Sequence, residues 1–83
     1  MKDIRIVILP SGFVFVGEYF EHPNGGIELQ NASCIRRWGT SKGLGQLAVK
    51  GKQDQTILDY CGTMNANANI VIATIRCTHT SWQ

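Results

Sequence analysis

Ten consecutive residues, Arg36-Arg37-Trp38-Gly39-Thr40-Ser41-Lys42-Gly43-Leu44-Gly45, carry most of the chemistry in this chain. Guanidinium and ammonium groups attract phosphate, and an indole face stacks on a base. Free backbone N–H groups at the start of a helix hold an anion. The combination suits a nucleotide or a nucleic-acid backbone. The candidate ligand-binding residues are therefore Arg36, Arg37, Trp38, Thr40, Ser41, Lys42 and Gly43. In this reading Arg36, Arg37 and Lys42 hold phosphates and Trp38 stacks on a base. Thr40, Ser41 and the Gly43 backbone complete the cradle. Each group has a plainer role open to it. Trp38 can serve a core or an interface, and the arginines can pair with Glu18, Glu21 or Glu28 of a neighbouring subunit. Thr40 or Ser41 can simply cap a helix. The segment is not a P-loop, because the Gly-x4-Gly-Lys-Ser/Thr spacing is absent.

Charge placement sharpens the reading. The chain carries a net charge of only +2. Between Glu28 and Asp54 there is no acidic residue, yet Arg36, Arg37, Lys42, Lys50 and Lys52 all fall there. A small net charge argues against bulk nonspecific DNA binding, and a local basic segment favours a compact anionic ligand or a defined strand. Asn65, Asn67 and Asn69 can read base edges or satisfy a loop backbone.

Catalytic and metal chemistry have little to work with. His22 falls in a turn and His79 in a tail, no Ser or Cys is locally paired with a histidine, and no carboxylate pair has signature spacing. An enzyme is not expected. Cys34, Cys61 and Cys77 lack CxxC spacing and His22 and His79 lie far apart, so neither a metal site nor a cofactor is expected. The cysteines read as free thiols of a reducing compartment.

The elements that must position these residues follow from pattern. Eighty-three residues make a single domain, 1–83, with a thin core. Oligomerisation is the expected source of further stability. Met1-Lys2-Asp3 runs straight into a strand-like segment, so a secretory leader is not expected, and no apolar stretch approaches a membrane span. Ile4–Leu9 reads as a strand, stopped by Pro10-Ser11-Gly12. Phe13-Val14-Phe15-Val16 is apolar on both parities, so both faces are expected to be buried or to meet another subunit. Gly17 marks a bend and Glu18–Glu21 continue the strand. His22-Pro23-Asn24-Gly25-Gly26 is a hairpin turn.

The next strand places Ile27, Leu29 and Ile35 on one parity and Glu28, Gln30, Cys34 and Arg36 on the other. Arg37 would then point inward, so a bulge or the strand end is expected near it. Leu44, Leu47 and Ala48 give a short helix near residues 43–50, with Gly51 as its C-cap. Lys52–Thr56 reads as loop, Ile57, Leu58 and Tyr60 as residues that pack back, and Gly62–Asn69 as a small, amide-rich stretch. Ile70–Ile75 reads as the last, central strand, and Thr78–Gln83 as a tail whose Trp82 can latch onto a neighbour. The expected fold is small and mostly β (α+β): a strongly bent antiparallel sheet, or an SH3-like or Sm-like partial barrel, with one short helix.

From Asn31-Ala32 to Gly51 the chain resembles a family of small, uncharacterised bacteriophage proteins. The shared pattern is Asn-Ala, an apolar residue at Ile35, a Trp at Trp38, and Leu-x-Gln-Leu-Ala at Leu44, Gln46, Leu47 and Ala48, closing on Gly51. Cys61, the run Ile70–Ile75 and Thr78 also fit. The likeness spans roughly residues 13–78. The family pattern departs at Arg36 and Arg37, where it carries aromatics.

Small oligomeric phage proteins with basic–aromatic pockets look like the anti-CBASS sponges, which hide cyclic oligonucleotide signals of bacterial immunity. The analogy implies a non-catalytic, homo-oligomeric binder of a cyclic nucleotide in the host cytoplasm, with no membrane partner. The alternatives are an Sm-like ring for single-stranded nucleic acid, and a structural or protein-binding phage module that uses Trp38 and the Phe13–Phe15 strand.

Overall fold

A computed structural model describes residues 2–82. The protein is small and mostly β, with one helix and a five-stranded antiparallel sheet. The strands are β1 (Ile4–Ile8), β2 (Val14–Glu21), β3 (Gly26–Arg37), β4 (Ile57–Asn67) and β5 (Ala73–Arg76), and helix α1 spans Leu44–Lys50. Their order in the sheet is β4-β3-β2-β1-β5. No helix among the described residues is long and apolar enough to cross a membrane.

The sheet is strongly bent, as the sequence leads one to expect, but it does not close: β4 and β5 are its two edges. A flat sheet of this order would hold β4 and β5 about 19 Å apart across the strands, with Asn67 and Ala73 at opposite ends. Residues 68–72 can bridge at most about 20 Å. They nevertheless join the two strands, and they bond to both ends of the sheet. The Ala68 N–H donates to the Gly25 carbonyl and the Ile72 N–H to the Ile8 carbonyl, each at 2.9 Å. Only a sheet wrapped over itself permits this.

The bend comes from a bulge in the middle of β3. Asn31 has φ 50. The register of β3 slips there against both neighbours, between Val16 and Glu18 on β2 and between Leu29 and Ala32 on the β4 side. Gly17 stands opposite. A Cβ on it would lie 3.0 Å from the Gln30 carbonyl oxygen and 3.1 Å from the Ala32 Cα, so the close backbone approach needs a glycine.

The core lies in two clusters, between which neighbouring residues of β1 alternate. One cluster unites Ile4, Ile6, Val14, Val16, Ile35 and Cys77 with Leu44, Leu47 and Ala48 of α1. The other unites Val7, Ile27, Leu29 and Ala32, with Phe15, Tyr19 and Met64 against them. Ile27 and Leu29 thus lie in a different cluster from Ile35, contrary to the parity reading, because one extra residue inverts the alternation.

Other expectations divide. The His22–Gly26 turn forms, closed by the His22 N–H on the Gly26 carbonyl at 2.9 Å. Leu44, Leu47 and Ala48 of α1 are buried, and the register slips between Ile35 and an exposed Arg37. Val14 and Val16 are buried and Phe15 packs on the second cluster, but Phe13 is exposed.

Residues 57–67 form one long strand where packed-back residues and an amide-rich stretch were expected. Pairing with β3 overrides the low strand propensity of Gly, Asn and Ala. The last strand is a four-residue edge rather than a central strand. Trp82 is partly buried against the chain's own core.

Candidate functional site

The Arg36–Gly43 segment runs from the end of β3 to α1, and its backbone is interlocked with the loop that follows the helix. The Thr56 hydroxyl donates to the Trp38 carbonyl at 2.7 Å and accepts from the Gln53 N–H at 2.9 Å. Thr56 is only 3% exposed, so both bonds are made inside the protein. Gly39 has φ +63, and a Cβ there would lie 2.2 Å from the Gln55 carbonyl carbon. Gln46 bridges the two loops. Its Oε1 accepts from the Lys42 N–H at 2.9 Å, and its Nε2 donates to Gln53 Oε1 at 3.3 Å.

Within this frame the seven candidate residues have different fates. Arg36 pairs with Asp59 of β4, with Nε donating to Oδ2 at 2.7 Å. That hydrogen bond and the carboxylate's charge raise the guanidinium pKa further. The partner is thus a carboxylate of the same chain, not Glu18, Glu21 or Glu28. Arg37 is exposed and has no carboxylate within 4.0 Å among the described residues. Trp38 is 44% exposed.

The Thr40 hydroxyl accepts from the Gly43 N–H at 2.9 Å, closing a turn before the helix. Gly43 occupies the N-cap position, where Thr40 or Ser41 was expected. The N–H groups of Lys42 and Gly43 are therefore both engaged by side chains of this chain, which narrows the anion cradle. Ser41 and Lys42 rim a hollow of about 270 Å³ with Gln46, Val49 and Lys50. Arg37, Trp38 and Lys42 are each exposed along the segment.

Sequence reasoning passed over a larger concavity. A groove of about 480 Å³ on the helix side of the sheet is lined by Asn31, Ser33, Lys52, Leu58, Tyr60 and Trp82. Beside it, Lys50, Lys52, Gln53, Asp54, His79 and Ser81 line a wider hollow of about 600 Å³. Tyr60, expected to pack back, instead stands exposed on β4 and lines this groove. The shared parity of Leu58 and Tyr60 was the available signal.

The remaining reactive groups are quiet. His22 Nε2 meets Glu28 Oε1 at 3.0 Å, and His79 Nε2 donates to the Ser81 carbonyl at 2.7 Å. Asn67 Oδ1 accepts from the Asn69 N–H, a local loop role. The cysteines are free thiols. Burial raises the pKa of Cys34 and pushes that of Cys77 up to about 11, which suppresses thiolate chemistry at both. Among the described residues no three His, Cys, Asp or Glu side chains gather as metal ligands would.

The fold defines a small, mostly β protein with an open sheet, and exposed basic and aromatic residues follow one another from the end of β3. No family model matches the chain, and no curated protein or solved structure matches it either.

Proposed function

We propose that this protein binds a compact phosphorylated ligand of cyclic-oligonucleotide type and holds it without cleaving it. The observation that carries the reading is the corner after β3. A half-exposed residue, Trp38, follows directly in the chain on Arg37, a guanidinium that no described carboxylate neutralises. Lys42 adds a second cation along the same loop, and Ser41 adds a hydroxyl at its rim. Arg36 is the weakest member, because a ligand phosphate must compete with Asp59 for it. The resemblance to small phage proteins supports a sponge that withdraws an immune signal in the host cytoplasm. In this proposal the protein acts as a homo-oligomer.

Isothermal titration against a panel of cyclic di- and trinucleotides tests the reading. The expected result is saturable binding, weakened at least tenfold by Trp38→Ala and by Arg37→Ala, less so by Arg36→Ala, with the ligand recovered intact. Flat titrations across the panel overturn it. Tight binding of long single strands, with a steep salt dependence, would favour the Sm-like reading instead.

A further inference from the structure

The geometry points to a second ligand site, for a planar aromatic ring bearing an anionic group, in the groove between Tyr60 and Trp82. At about 480 Å³ the groove has the size of small-molecule sites, which run from roughly 300 to 1,000 Å³. Its two aromatic side chains come from distant parts of the chain, the edge strand β4 and the C-terminal segment. Tyr60 is 69% exposed, which leaves its ring accessible, and its hydroxyl donates to Asn31 Oδ1 at 3.4 Å.

Trp82 is held in place before any ligand arrives. It packs against the helix-side core, and its Nε1–H donates to the His79 carbonyl at 2.9 Å. The His79 ring meets it edge-on, with centroids 5.7 Å apart and planes at 86°. His79 is itself anchored, since its N–H donates to the Ala48 carbonyl near the end of α1. A pre-set indole spares a ligand the cost of ordering it.

Asn31 and Ser33 supply polar groups for ring heteroatoms on the sheet side. Lys52 lines both this groove and the neighbouring hollow, where Lys50 and His79 also stand. Neither lysine has a carboxylate within 4.0 Å among the described residues. Asp54 is the carboxylate of that hollow, and it offsets part of the charge of the two lysines there. An aromatic end joined through Lys52 to a cationic end is the build that receives a nucleoside monophosphate.

The groove's lining shares no residue with the Arg37–Trp38 corner, and the two tryptophans allow the two to be tested separately. Trp38→Phe leaves Trp82 as the single indole, and Trp82→Phe leaves Trp38. Each protein is titrated with AMP and with UMP at constant ionic strength while tryptophan emission is followed, with ribose 5-phosphate as the ringless control. In the Trp38→Phe protein both nucleotides should quench Trp82 saturably and the control should not. Tyr60→Ala or Lys52→Gln in that background should weaken the effect at least tenfold.

Absence of saturable quenching at several millimolar nucleotide, or quenching indifferent to both substitutions, overturns the site. Quenching confined to the Trp82→Phe protein overturns it too, while leaving the corner as the binding surface. Should Trp38→Phe fail to fold, the two indole N–H resonances of the unsubstituted protein decide the matter instead. That of Trp82 must move with added AMP, and a stationary signal sinks the proposal.

Discussion

Cys77 is a residue whose chemistry is set by its surroundings. It is 6% exposed within the helix-side core, and burial pushes its pKa from an ordinary 9.0 up to about 11. The unfolded chain releases this proton first. Its contribution to stability is therefore complete below pH 9 and is lost as the pH rises to about 11. Urea denaturation at pH 8 and pH 10.5 should show a drop on the order of 2 kcal/mol, since a tenfold difference in proton affinity is worth about 1.4 kcal/mol. Cys77→Ala should lack that part of the drop, and an identical pH slope in the variant would refute the argument. Asp59 teaches the complementary lesson. In sequence it is one acid among polar neighbours, but in the sheet it takes up Arg36 and leaves Arg37 as the available guanidinium.

At the scale of elements, the bulge at Asn31 governs the molecule. It inverts the inward face of β3, sends Ile35 to a different cluster from Ile27 and Leu29, and lets the sheet wrap far enough for residues 68–72 to join its edges. Gly17 makes the bulge possible, and Gly17→Ala tests it. The new methyl would press on the backbone at Gln30 and Ala32, which cannot swing aside as a flexible side chain would. A loss of about 1–3 kcal/mol is expected in denaturant titrations, at the upper end for so small a chemical change. A neutral result would mean that β2 and β3 can part there without consequence. The pairing of the 38–43 and 51–56 loops through Thr56 is the other decisive contact between elements. It fixes where the Trp38 backbone lies and so where the corner faces.

For the whole molecule, the asymmetry of the two sheet edges matters most. β5 offers a four-residue edge, whereas β4 offers eleven residues with Asp59 as its single charge and no proline or lysine. Long, uncharged edges are templates for further strand pairing, and proteins usually blunt them. A chain of this size also has little stability to spare. The proposed homo-oligomer is accordingly assigned to β4 meeting β4 of a second copy. Light scattering should return a mass above one chain, and Thr63→Lys on that exposed edge should return the monomer. A monomeric unsubstituted protein at high micromolar concentration would dismiss the assignment.

By itself the sequence determined what depends on neighbours along the chain. The His22–Gly26 turn, the buried face of α1 at Leu44, Leu47 and Ala48, the Gly51 end of that helix and the irregularity at Arg37 all follow from local spacing and backbone preference. So did the gathering of positive charge between Glu28 and Asp54. Tertiary structure alone decided the rest. Residues 57–67 became a strand because β3 had an open edge to pair with, although their composition speaks for a loop. Ile35 changed sides because a single left-handed residue, Asn31, shifts every side chain after it. Arg36 was neutralised from 23 residues away, and Tyr60 and Trp82 came to flank one groove across a similar separation. Such outcomes depend on which strands pair and in what register, and that is settled by the packing of the whole chain rather than by any stretch of it.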